Sequence, residues 1–226
     1  MSEPFLAYFL QLASGVGMTV VLMLATLITG GFLAGLMTLV LVSDHVVLKK
    51  CVSGFIFFIR GTPLLVQIFL IYFGLGQFDW LRDSPVWFVL REPLWCAVIA
   101  LACNTSAYTT VLWKGAIDAV PAGEVLACKA LGMSRRLRYT RLIFPRAMRM
   151  VLPAYSNEVI IILKSTSLVS TITLLDLMGV TNQLIAQTYQ TLPFLTLAAG
   201  IYLTFNVIII SVFKKIERSA NRYLLV

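Results

Sequence analysis

From Pro4 to Ser43 the chain carries no charged side chain at all. A helix that crosses a bilayer needs about 20 apolar residues, so this run provides one crossing with residues to spare. It is much too long for the core of a signal peptide, and no small-residue cleavage site is evident. The composition agrees. With 59% hydrophobic and 12% charged residues over 226 positions, the chain cannot cover a soluble surface, whereas lipid would solvate it as it stands. The expectation is an all-α polytopic membrane protein, one transmembrane domain over residues 1–226 with little soluble mass.

The first span is expected at about 16–41, with residues 4–14 as a short helix at the outer interface. Further apolar runs lie at about 53–77, interrupted by Arg60, then at about 94–113, 151–172 and 194–213. Five spans put the two termini on opposite sides. Basic residues decide which. Lys49, Lys50 and Arg60 precede or enter the second span. Lys114, Lys129, Arg135, Arg136, Arg138, Arg141, Arg146 and Arg149 fill the segment 114–149. Lys214, Lys215, Arg218 and Arg222 close the chain. Only Arg82, Arg91 and Lys164 remain of the 18 basic residues. The N-terminus is therefore expected outside, with the C-terminus and segment 114–149 in the cytoplasm. Trp80, Trp87 and Trp95 suit a headgroup boundary on the outer side.

A net charge of +8 could suggest nucleic acid, but the charge sits in loops between spans, so it reads as topology. Cys51, Cys96, Cys103 and Cys128 show no C-x-x-C pairing and His45 is the single histidine; no metal site is expected. No nucleophile–base pair or acidic cluster supports a membrane enzyme, so no catalytic residue is assigned.

The basic segment has internal punctuation. Pro121 and Gly123 break the helix leaving the third span. Residues 124–132 read as a short helix ending at Gly132 in the C′ position, and Ser134 can cap the next. Two readings stay open from composition. A basic loop could anchor the chain on anionic lipid. A punctuated apolar helix, VLACKALGM, instead wants a protein partner.

Here the sequence resembles a known family. Leu126-Ala127-Cys128, Gly132 and Leu142-Ile143-Phe144-Pro145 stand in the register of the cytoplasmic loop of ATP-binding-cassette importer permeases. Leu126 replaces that pattern's Glu and Cys128 its second Ala, while the Gly-to-Pro spacing is kept. FIRGTPLLVQIFLIYFGLGQF, NTSAYTTVLWKGAIDAVPAGE and LPAYSNEVIIILKSTSLVSTITLLDLMG resemble the second, third and fourth spans of the polar amino-acid uptake family, of the histidine/lysine/arginine/ornithine type. Val111 and Lys114 depart from it, standing where many relatives have Glu and Arg.

The resemblance covers about 15–215 and implies the type I importer permease fold, with five transmembrane helices and a cytoplasmic coupling helix. It implies a cytoplasmic ATPase dimer, a second permease subunit (a copy or a paralogue) and a periplasmic amino-acid-binding protein as partners, in a bacterial inner membrane. ATP and Mg would be bound by the ATPase, and this chain, which lacks GxxxxGK[ST], would hold no cofactor. Gly123, Glu124, Ala127, Cys128, Ala130, Leu131 and Gly132 are the expected coupling residues. A stand-alone, ion-coupled secondary transporter or channel is the rival reading.

Glu158 is the sharpest candidate for substrate contact, because an intramembrane carboxylate usually faces a cavity or a partner. At roughly 100° per residue, Asn157 and Lys164 share one stripe, and Glu158 and Ser165 the adjoining one. Together they suggest a lined pathway, with Glu158 as counter-charge for a cationic amino acid such as arginine, ornithine or histidine. A structural ion pair is the alternative for Glu158. Asn104 and Tyr108 could line the pathway or bond helices together. Arg60, Thr62 and Pro63 read as structural or gating, and Gln67, one turn beyond, as facing the pathway. Loop 176–193 reads as an outer gate, a docking surface or an ordinary polar loop.

Overall fold

A computed structural model describes residues 2–221 and contains helices and no strand among them. Helix α1 runs unbroken over Ser2–Val42. At 1.5 Å per residue it is about 60 Å long, roughly twice a hydrocarbon core. The separate interfacial helix expected at 4–14 is therefore the first part of α1. Gly15 and Gly17 do not interrupt it, because glycine costs a helix little more than entropy.

Gly15 has a packing reason as well. A Cβ there would stand 2.7 Å from the Asp176 carbonyl oxygen and 2.9 Å from Leu177 Cα. The bare backbone lets that segment lie against α1, where the Leu177 N–H donates to Thr19 Oγ1 at 3.0 Å.

Helix α2 (Val46–Gly61) and helix α3 (Leu64–Phe69) form a bent pair. A π turn (Leu70–Gly74) and a 3₁₀ turn (Leu75–Gln77) prolong α3, and the direction changes by 106° at the break. Local sequence dictates the site. Pro63 disfavours the helical region for the residue before it, and Thr62 is extended at φ −118°, ψ 144°. The carbonyls this break frees are answered by side chains, as an interrupted helix in lipid requires. Thr62 Oγ1 donates to the Phe58 carbonyl at 3.0 Å. The Gln67 amide donates to the Ile59 carbonyl at 2.8 Å and to the Thr62 carbonyl at 3.1 Å.

Two single-turn helices, α4 (Asp79–Arg82) and α5 (Trp87–Leu90), lead to α6 (Pro93–Asp118). Helix α6 is the hub and packs on α1, α2, α3 and α9. Its buried positions are mostly small, among them Ala97, Ala100, Ser106 and Ala107, which is how helices approach closely where lipid offers no hydrophobic drive. Gly30 of α1 meets it at Thr105.

Helix α7 (Ala122–Ala130) and α8 (Arg135–Arg138) follow, then a π turn (Tyr139–Ile143) into α9 (Phe144–Ser165) and a 3₁₀ stretch (Thr166–Ile172). Pro145 lies in the first turn of α9. Helix α10 (Leu177–Thr188) is bent 48° from this run. It occupies most of the segment read as a polar loop, because Leu177, Val180 and Leu184 bury against Leu12 and Phe194. Asp176 caps it, accepting the Gly179 N–H at 2.9 Å.

Helix α11 (Thr191–Asn221) ends the description. Lys214, Lys215 and Arg218 lie in its last turns, and Arg222 lies outside the described residues. Three helices (α1, α6, α11) are long and apolar enough to cross a membrane unaided, and the two bent pairs bring the total to five.

Candidate functional site

Two sites emerge. The first is a polar cluster drawn from three elements, with Gln67 and Glu158 buried, Asn104 and Tyr108 half-buried and Arg60 exposed. The α2–α3 break supplies Arg60 and Gln67, α6 supplies Asn104 and Tyr108, and α9 supplies Glu158. The Arg60 guanidinium stands over the Tyr108 ring, 5.0 Å from its centroid, a cation–π contact.

Gln67, expected to face the pathway, has its side chain engaged at the bend. It is 6% exposed. Besides the two carbonyls it answers, its amide donates to Thr62 Oγ1 at 2.8 Å, and its own oxygen accepts from Asn104 Nδ2 at 3.1 Å. So Gln67 clamps the bend and Asn104 holds the clamp. For Asn104 this is the helix-bonding reading rather than free lining.

Glu158 is 6% exposed, on the face of α9 turned into its own subunit. Glu158 forms no ion pair among the described residues. The four-residue polar face read on α9 divides. Asn157 and Lys164 are exposed and point away from the subunit along with Ile161, while Ser165 is half-buried between the two sides. The spacing arithmetic was sound, but sequence could not say which stripe meets α6 and which meets something beyond this chain.

The second site is α7. None of its residues is buried. Gly123, Leu126, Ala127, Ala130 and Leu131 are all exposed and fall within about 140° of helix circumference. Leu126 is 59% and Leu131 80% exposed. Leu126 was not among the expected coupling residues, although its helical spacing from Gly123 and Ala130 carries the signal.

Two of the expected coupling residues sit elsewhere. Glu124 and Cys128 are half-buried toward the chain itself, and Glu124 pairs with Arg146 of α9 at 2.6 Å.

The end of α7 is firmly made. Gly132 is left-handed at φ +71°. Its N–H bonds to the Lys129 carbonyl and the Met133 N–H to the Cys128 carbonyl, each at 3.0 Å, the paired bonds of a Schellman stop. Ser134 then caps α8, accepting the Leu137 N–H at 3.3 Å. Arg135 fastens α8 to the end of α1 through the Val42 carbonyl at 2.9 Å and the Asp44 carboxylate. The guanidinium beside Asp44 holds that carboxyl below the usual aspartate range.

Residues 27–222 match the family described as the binding-protein-dependent transport system inner membrane component. The chain belongs to that family. It is 44% identical over 211 residues to the octopine transport system permease protein OccM of Rhizobium meliloti, covering 93% of this chain and 86% of that one. It is 48% identical over 176 residues to the arginine ABC transporter permease protein ArtM of Escherichia coli K12, covering 77% and 78%. The crystal structure of an amino acid ABC transporter with histidines superposes at a TM-score of 0.86 with 30% identity, over 96% of this chain and 97% of that chain. The inward-facing MetNI methionine transporter, at 15% identity and a TM-score of 0.67, covers 97% and 99% and supports the fold alone. The family resemblance and the importer-permease fold read from the sequence are thus borne out. The chain is a membrane-spanning permease subunit, and the stand-alone secondary transporter is not favoured.

Proposed function

We propose that this permease imports amino acids with a cationic side chain, arginine or a close derivative, driven by a separate ATPase. The observation that carries this is the run of relatives named for arginine, octopine and nopaline transport, at 40–48% identity. In this reading two permease subunits, copies or paralogues, enclose the pathway in a bacterial inner membrane. A periplasmic binding protein delivers substrate at the N-terminal side, and an ATPase dimer holding Mg-ATP docks on the cytoplasmic side. The crowding of basic residues at one end of the bundle supports that orientation.

Helix α7 is the coupling joint in this proposal. Its exposed apolar face suits a cleft in the ATPase, and its tie to α9, with that of the following α8 to the end of α1, suits the transmission of movement. Glu158 supplies the counter-charge for the substrate cation. Arg60, held over Tyr108, is the basic side chain of the same cluster. Asn157, Lys164 and Ser165 border the side that would meet the second permease, where Lys164 offers a donor to an α-carboxylate.

The test is uptake of labelled arginine by the complex reconstituted in vesicles. Losing a charged partner costs about 1.5–3 kcal/mol, so Glu158→Gln should raise the half-saturating concentration about 10- to 100-fold while the complex still assembles. Unchanged uptake with intact assembly would remove the counter-charge role.

A further inference from the structure

At the basic end of the bundle an apolar cleft of about 670 Å³ opens between α1, the end of α6 and the start of α9. It is separate from the polar cluster and from the exposed face of α7. Residues 31–42 form one wall and 139–151 the other, with Trp113 and Ile117 between them. Its volume falls within the range of small-molecule pockets, about 300–1,000 Å³.

Two features of the walls point to an occupant. The first is a pair of glycines on α1. A Cβ at Gly35 would make ordinary contact with Trp113 at 3.6 Å, and one at Gly31 would only reach the Tyr155 hydroxyl at 4.0 Å. The protein's own packing therefore does not require glycine at either place. Each costs the helix about 0.5–1 kcal/mol relative to alanine, and both keep the cleft open.

The second is the charge at the mouth. Val42 and Tyr139 line the cleft. The Arg135 guanidinium sits against both, bonded to the Val42 carbonyl at 2.9 Å and 6.0 Å from the Tyr139 ring centroid. Thr140 also lines the cleft, and its hydroxyl donates to the Arg136 carbonyl one turn back at 3.0 Å. Arg136 thus lies one turn beyond Thr140, on the same side of its helix. It is exposed and joins no ion pair among the described residues. Arg135 is matched by Asp44, whereas Arg136, one turn from the lining residue Thr140, has no acidic partner among the described residues.

An apolar slot in a membrane-spanning chain, with an unmatched arginine at its mouth, fits an amphiphile with an anionic head. We propose that the cleft seats one acyl chain of an anionic phospholipid from the leaflet at the basic end, with its phosphate at Arg136. The slot is then a bound-lipid site rather than a channel or a docking groove for protein.

Trp113 reports on it directly. In a full chain carrying Trp80→Phe, Trp87→Phe and Trp95→Phe, only Trp113 fluoresces. That chain is reconstituted in vesicles holding equal mole fractions of phosphatidylglycerol and phosphatidylcholine, with bromine on the chains of one lipid or the other. Brominated phosphatidylglycerol should compete for the site about five-fold better than brominated phosphatidylcholine, the worth of one basic side chain near an anionic head. Arg136→Gln should erase that preference, and Gly35→Leu should remove the quenching by both.

Equal quenching by the two lipids, unmoved by Arg136→Gln, would overturn the site and leave ordinary lipid contact. Quenching by neither would overturn it in favour of a protein cover. Should the tryptophan variants fail to fold, native mass spectrometry of the unaltered complex gives the same decision. A phosphatidylglycerol adduct retained in preference to phosphatidylcholine, and reduced by Arg136→Gln, upholds the proposal. Adducts of either lipid in equal measure, or none, overturn it.

Discussion

Truncating the exposed face of α7 should weaken ATPase binding without disturbing the permease itself. Full burial of a leucine side chain gains about 1.5–3 kcal/mol. Leu126 is 59% exposed, so docking can still remove roughly three-fifths of it from water, about 0.9–1.8 kcal/mol. Leu131, at 80% exposed, has about 1.2–2.4 kcal/mol left to gain. At 1.4 kcal/mol per tenfold, Leu126→Ala should weaken the complex about 4- to 20-fold and Leu131→Ala about 7- to 50-fold. Neither residue packs in a core cluster of the chain, so the solubilised permease should keep its thermal midpoint. The assay is titration of the partner ATPase onto the permease in detergent or nanodiscs, read by thermophoresis. Phe57→Ala serves as control, because Phe57 is equally bare of the chain's own contacts but lies on α2. If both α7 truncations leave affinity within two-fold of the parent, the exposed face is not what the ATPase holds.

Gln67→Leu should lower stability by about 2–5 kcal/mol, since the Ile59 and Thr62 carbonyls and the Asn104 amide lose their partner at the bend; a thermal scan against Gln67→Glu, which keeps the acceptor, checks it. Gly15→Ala should destabilise by about 1–3 kcal/mol, because its Cβ would press on the Asp176 carbonyl. Gly17→Ala, with open space around its Cβ, should be neutral or stabilise the helix by about 0.5–1 kcal/mol, and the same scan compares the two. Arg135 depresses the Asp44 pKa, so their link should stay whole at every pH above the ordinary aspartate value of ~3.9 and loosen only as pH falls through the depressed one. Protection from hydrogen exchange across 133–143, taken relative to the intrinsic rate at each pH, should therefore match at pH 8 and pH 5 and fall in Asp44→Asn; protection already lost at pH 5 would refute the assignment.

What could be read in advance was what local chemistry fixes. Gly132 needed only the rule that a left-handed stop favours glycine, and the α7–turn–α8 punctuation followed from it. The bend at Thr62–Pro63 has a local cause of the same kind, because the ring of Pro63 disfavours the α conformation one residue earlier. Its consequence could not be read in advance. Gln67 lies one turn beyond the proline, and a side chain at that spacing reads equally as lining or as clamp until the 106° turn brings Ile59 within its reach.

The division of the α9 polar face was hidden for a different reason. Periodicity places Glu158 beside Asn157 and Ser165, but the sidedness of a helix depends on which neighbours cover it. In lipid, hydrophobicity does not mark the covered side. Helix α10 shows the same limit. Its glutamines and asparagine suggest a loop, while Gly15 and Thr19, more than 150 residues earlier in sequence, supply the seat that makes it a packed helix.

The attachments of the short helices give the two sites a shared mechanical frame. Glu124 ties α7 to Arg146 on α9, and Glu158 lies on that same helix three turns further along. Arg135 ties α8 to Val42 and Asp44, just ahead of α2, whose far end carries Arg60. A displacement of α7 and α8 as a unit would therefore reach the polar cluster by two routes, one ending at Arg60 and the other at Glu158. The routes differ in stiffness. Helix α9 runs without a gap from Arg146 to Glu158, with one ladder bond missing at Pro153. The other route passes through the short Ser43–His45 connection and stops at the 106° break, where the helix ladder is interrupted and only side chains span the gap. Unequal routes to two opposite charges change their separation when the base moves, whereas equal ones would carry both along unchanged.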